Sequence, residues 1–214
     1  GACSAYVYAP YALSALPQEG ALRTDSLEST QIPTSGLRGA RQYRFTMPLA
    51  PEQTAAELLD ALREQPETAD AYLSPEGSYR AFGQEQDVKL PEQTRAQLAP
   101  ILDELCRDYG SAGSLTPEQA QLCTARFLEQ LDALREAGTV LPLDELVKDT
   151  TYQTATLTVL ALRYYGIPAR YAEGFVLTQE TAARAQAGSA ITLTAADAQG
   201  WAEVYQDGTG WMPL

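Results

Sequence analysis

The sequence predicts an α+β protein, with helices set against an antiparallel sheet and preceded by a mixed helical and extended N-terminal region. Three observations carry this prediction. Apolar residues recur at helical spacing in segments that open with Pro-Glu-Gln at Pro51, Pro91 and Pro117. The stretch from about Thr151 to Tyr165 is apolar on most sides, as a buried helix is. Alternating segments then follow, ARYAEGFVLT and WAEVYQ. Asp207-Gly208 marks a tight turn between WAEVYQ and GWMPL.

Taken in order, AYVYAPYALSALP reads as an extended stretch bearing Tyr6, Tyr8 and Tyr11. Residues 18–40 are polar, with turn signals at Gly20, Pro33 and Gly36. RQYRFTMPL reads as a short strand around Tyr43 and Phe45, and a helix follows from Pro51 with Leu58, Leu59 and Leu62 on one face. Pro75, Gly77 and Gly83 indicate a turn-rich stretch. The next helix, LPEQTRAQLAPILDELCRDY, is expected to break or kink at Pro100. Another has Thr116 as N-cap, Pro117 at its first position and Gly138 as C-cap, with Ala120, Cys123, Phe127, Leu131 and Leu134 at helical spacing.

The buried helix fits a capping box, with Thr150 as cap and Gln153 reaching back. Gly166 ends it and Pro168 prevents its return. A polar loop is expected over 179–189. AITLTA reads as a strand with Ile191 and Leu193 on one face. The expected division is an N-terminal region of unassigned role at 1–90 and a second domain at 91–214, with its motifs within 141–214.

A net charge of −13 and a pI near 4.4 argue against nucleic acid or an anionic membrane surface as partner. The acidic residues are scattered, as on a solvated exterior. The apolar run Leu157–Leu162 is far shorter than the roughly 20 residues that span a bilayer. Without histidine or a Cys-x-x-Cys motif, no zinc-site spacing is present, and no metal or cofactor is expected. Cys106 and Cys123 fall in neighbouring predicted helices, as a disulfide or as two buried thiols. The chain opens on Gly1 and shows no signal peptide, so it is expected to be a trimmed piece.

Two blocks carry a family resemblance: TYQTATLTVLALRYYGIPARYAEGFVL and DAQGWAEVYQDGTGWMPL. They resemble the transglutaminase-like superfamily, a branch of the papain-type cysteine enzymes. The resemblance implies a helices-on-sheet core and a nucleophilic Cys at the start of the first block's helix. It also implies a His just before the Trp of the second block. This chain has Thr151 at the first position and Gln199 at the second. The acidic residue that orients the His would fall just past Leu214, so the domain is expected to continue there. Trp201 resembles the aromatic beside the family His, and Trp211 the one under the hairpin. Arg170 and Glu173 resemble polar residues behind the site, expected to form a buried ion pair. The upstream layout resembles bacterial membrane-anchored proteins whose domain lies outside the cell. It implies the extracellular face of a bacterial membrane, with the membrane reached only through segments outside this chain.

The chemistry of the family needs a thiol of lowered pKa, a base within hydrogen-bond reach and oxyanion donors. A helix N-terminus shifts a charge by only about 0.3–1 kcal/mol, far too little to ionise the Thr151 hydroxyl. An internal threonine also lacks the amine that activates threonine nucleophiles. The Gln199 amide has no useful pKa for proton transfer. The expectation is an inactive transglutaminase-like domain acting outside the cell as a binding or scaffolding module, its vestigial cleft at Thr151, Tyr152, Gln199 and Trp201 suited to an extended peptide or a cell-wall stem peptide. The alternative is a hydrolase or acyltransferase using another residue set. Cys106 and Cys123 lie mid-helix near apolar faces. Glu203 and Asp207, a conceivable carboxylate pair, sit on a hairpin arm and its turn, where acids are common.

Overall fold

The computed structural model describes residues 77–136, 150–178, 191–207 and 210–214, with the isolated positions 64 and 180. The chain divides into two compact units, Gly1–Ala71 and Tyr72–Leu214, and the described elements belong to the second. The extended stretch at 6–13, the loop at 18–40, the strand at Tyr43–Phe45, the helix at Pro51 and the Gly138 cap lie outside the described residues.

Four helices and three strands make up the described unit: α1 (77–86), α2 (Glu92–Cys106), α3 (Pro117–Glu136), α4 (Thr150–Tyr164), β1 (Ala169–Phe175), β2 (Ala198–Gln206) and β3 (Gly210–Pro213). Helix α1 replaces the expected turn-rich stretch. Glycine is a weak helix former, but the Trp211 ring comes within 3.8 Å of where a Gly83 Cβ would stand, so tertiary contact outweighs local preference there. Helix α2 continues through the exposed Pro100.

The start of α3 follows its sequence signals closely. The Gln119 N–H donates to Thr116 Oγ1 at 3.3 Å, and the Thr116 N–H donates to Gln119 Oε1 at 2.9 Å. Two donors that a helix end leaves orphaned are thereby satisfied reciprocally. Helix α4 already includes Thr150, the expected cap, as a helical residue. Its far end closes as expected: Gly166 takes φ +80°, Ile167 N–H reaches Leu162 O at 2.9 Å, and Gly166 N–H reaches Arg163 O at 3.1 Å. This is the paired closure that a left-handed residue makes possible.

The apolar character of α4 on most sides has a direct cause: the helix is buried between two layers. Leu157, Ala161 and Tyr164 join Leu98, Leu102 and Cys106 of α2 and Ala120, Cys123, Phe127 and Leu131 of α3 in one core. Val159 and Leu162 join Ala169, Ala202 and Val204 of the sheet in another. Fully burying a Leu- or Phe-sized side chain contributes roughly 1.5–3 kcal/mol, so α4 couples both layers.

The sheet is antiparallel in the order β1-β2-β3, with Ala169 opposite Val204 and Tyr205 opposite Trp211. Asp207 occupies the β2–β3 turn, and Gly210 supplies a positive φ of 94° where β3 begins. Residues 191–194 are not a strand. Ile191 and Leu193 are both exposed, and Thr194 instead caps the 3-10 turn Ala195–Asp197, its side chain accepting from Ala196 N–H. Arg163 fastens the α1–α2 connection to the sheet. It donates to Ala169 O at 2.8 Å, Lys89 O at 3.2 Å and Asp87 Oδ1 at 3.1 Å.

Candidate functional site

The first turn of α4 and the start of β2 come together at one place. Thr151 is the second residue of α4, and Tyr152, half-buried, follows it. The Tyr152 and Tyr171 rings meet edge-on, with centroids 6.4 Å apart. Both rings press on the backbone of Gly200. A Cβ there would lie 2.8 Å from Tyr152 Cδ1 and 2.9 Å from both Cε2 and the hydroxyl oxygen of Tyr171. Only glycine admits that approach. The neighbours of Thr151 and Gln199 are therefore in contact.

Gln199 itself is exposed. The unbroken register of β1 with β2 alternates the side chains of β2. Gly200, Ala202 and Val204 face α4; Gln199, Trp201, Glu203 and Tyr205 take the opposite face. Tyr152 thus meets β2 at Gly200, while Gln199 shares its face with Trp201.

On that second face the Trp201 ring lies over Gly174, where a Cβ would stand 3.0 Å from Cη2. The indole N–H donates to Glu203 Oε1 at 3.0 Å, and Arg170 Nε donates to the other oxygen, Oε2, at 2.6 Å. Glu203 is only 2% exposed, and Arg170 is its cross-strand neighbour. The guanidinium also stacks over Trp211 at 4.4 Å and donates to the Tyr79 hydroxyl at 3.4 Å. The Trp211 N–H donates to that same hydroxyl at 2.9 Å, and Tyr205 meets both Tyr79 and Trp211 edge-on. A buried carboxylate is thereby matched by one charge and one neutral donor, the condition under which such a charge is tolerated.

This arrangement corrects two expectations. The ion pair of Arg170 is with Glu203, since Glu173 is exposed and accepts from the Tyr171 hydroxyl at 3.1 Å. Strand alternation is the reason: Arg170 and Glu173 lie an odd number of residues apart and face opposite sides of β1. Glu203 and Asp207 are also no carboxylate pair, because Glu203 is engaged internally while Asp207 is exposed near Arg80 and Gln84. The role of Glu203 was legible in principle from the Trp-x-Glu spacing, which puts both side chains on one face. Tyr79, from a stretch that reads as turns, carried no such signal.

Cys106 and Cys123 are 1% and 0% exposed, and burial pushes both thiols up. Such thiols are poor nucleophiles. Among the described residues, no helix is long and apolar enough to cross a membrane.

Helices around an apolar central helix, whose first turn abuts an antiparallel strand pair, define an α+β domain. The sequence model of the transglutaminase-like superfamily matches residues 148–214, so the chain carries a transglutaminase-like domain. A comparison with curated proteins found no match. Among solved structures, the chain is similar to the periplasmic domain of TgpA from Pseudomonas aeruginosa bound to ethylmercury, at 21% identity and a TM-score of 0.40. The match covers 63% of this chain and 48% of that one, so the chain spans about half the length of that structure.

Proposed function

We propose that this domain is a catalytically inactive transglutaminase-like module that acts outside the cell, binding an extended peptide or a cell-wall stem peptide or scaffolding a partner. The observation that carries the reading is chemical. Thr151 and Gln199 stand at the positions of the family's thiol and imidazole, and the chain has no histidine at all. General-base activation of a nucleophile needs a group that takes a proton near neutral pH, and an amide does not. The two cysteines of the helical core, with their raised pKa values, offer no substitute nucleophile. The Trp201 ring, held by Glu203 beside Gln199, supports a binding role for the same face, since a fixed aromatic supplies contact area at little entropic cost. The extracellular assignment rests on the resemblance of the domain to membrane-anchored bacterial proteins.

Isothermal titration with extended peptides and with cell-wall stem peptides tests the binding claim. Saturable binding that Trp201→Ala weakens is the expected result, and no heat with any of them removes the ligand. Turnover of amide or ester substrates that disappears in Thr151→Ala would overturn the claim of inactivity. Protease accessibility of the domain in intact cells tests its location.

A further inference from the structure

We infer that Cys106 and Cys123 are the two halves of a disulfide that joins helix α2 to helix α3. Cys106 is the last residue of α2 and Cys123 lies in the second turn of α3. Both belong to one apolar cluster, with Leu102, Ala120 and Phe127 around them. Cys123 Sγ rests 3.5 Å from the carbonyl oxygen of Leu105, in the peptide unit that leads into Cys106. Cys106 Sγ, a free thiol in this structure, turns toward Asp103 O at 3.5 Å and Gly110 O at 3.8 Å. Burial, and after it the neighbouring Cys106, raises the pKa of Cys123. Bridging requires Cα atoms roughly 4.4–6.8 Å apart, and the 3.5 Å approach of Cys123 Sγ to the Leu105 carbonyl sets the two residues on facing turns of the packed helices.

Two 3-10 turns, Arg107–Tyr109 and Ala112–Ser114, make the connection short. A bridge across it removes chain entropy from the unfolded state while leaving the folded core in place. The step balances simply. Two thiols lose two protons and two electrons as the S–S bond forms, and a small disulfide such as glutathione disulfide accepts them and leaves as two thiols. Because the folded thiols are buried and hard to ionise, the exchange takes place as α2 and α3 assemble rather than by attack on the finished core.

The test refolds the full chain, bearing Cys3→Ser so that only this pair remains, from denaturant in a glutathione redox buffer. Free thiols are then alkylated under denaturing conditions and peptides are mapped. The expected result is loss of both thiols, a Cys106–Cys123 linked peptide, and a Tm higher than that of the reduced protein by on the order of 10 °C. Two thiols still open to alkylation, linkage between chains, or an unchanged Tm would each overturn the inference. The oxidised and reduced forms of one protein supply the comparison, so it stands even where Cys106→Ser or Cys123→Ser fails to fold. The outcome is independent of any ligand or turnover.

Discussion

Replacing Glu203 is the sharpest perturbation available. Its carboxylate is almost fully enclosed and holds two donors at once, Arg170 Nε at 2.6 Å and the Trp201 indole N–H at 3.0 Å. Glu203→Gln keeps the volume and an acceptor for the indole but removes the charge that Arg170 faces. Breaking one partner of a buried ion pair costs about 3–5 kcal/mol. The Arg170 side chain remains 22% exposed and stacked on Trp211, so part of its charge stays solvated. The expected loss is therefore at the low end, about 3 kcal/mol. Glu203→Ala also orphans the indole N–H and leaves a cavity, and should cost about 4 kcal/mol or more. The double replacement Arg170→Met with Glu203→Leu leaves no charge unpaired and should recover much of that loss. Urea denaturation followed by far-UV circular dichroism gives the stabilities, and tryptophan fluorescence reports the freed Trp201 ring. If Glu203→Gln stays within about 0.5 kcal/mol of the parent, the size of an ordinary surface substitution, the energetic role assigned to this pair is wrong.

Other changes probe different links. Gly200→Ala should lower stability by about 1–3 kcal/mol through its collision with the Tyr152 and Tyr171 rings, and Tyr152→Ala in the same chain should relieve part of that loss. Thr116→Ala should cost about 1 kcal/mol in thermal or urea unfolding, because both halves of the α3 capping box depend on that residue. Burial, then the hydrogen bond to Asp103, pushes the Tyr164 phenol from 10 up to about 12, and burial pushes Tyr165 higher still. Their folded values exceed the unfolded one, so this stabilisation is complete below pH 10 and is lost as pH rises through about 12. Tyrosinate absorbance and denaturation at pH 7 and pH 11 measure both effects; equal stability at the two values would refute the assignment. Thr151→Cys with Gln199→His should yield at most a trace of thiol reactivity toward an alkylating probe, since alternation sets residue 199 on the sheet face opposite the one that meets Tyr152.

Much of the architecture was legible because its signals are local. The Thr116 cap, the Gly166 stop and the alternation of ARYAEGF and WAEVYQ each depend on residues a few positions apart. The α4 pattern, apolar on most sides, gave burial but not the reason for it, which is a helix layer on one side and the sheet on the other. Two readings failed where local preference met distant contact. Gly77 and Gly83 read as turn residues, yet α1 forms where Gly83 lets Trp211 approach. Ile191 and Leu193 alternate like a strand, yet both are exposed in a segment that ends in the Thr194–Asp197 cap.

The sequence by itself determined which ionisable side chains the chain can offer, and histidine is not among them. Residue identity settles proton affinity, and no arrangement of this chain gives it an imidazole. It also determined the helix ends and strand periods, which follow from backbone geometry within a few residues. Only the tertiary structure decided the partners: Arg170 with Glu203, Trp201 over Gly174, Tyr152 against Gly200 and Cys123 beside the end of α2. The physical reason is that strand register and helix docking are set by the burial of whole faces, which sums over residues far apart in the chain, so that neither can be read at any single position.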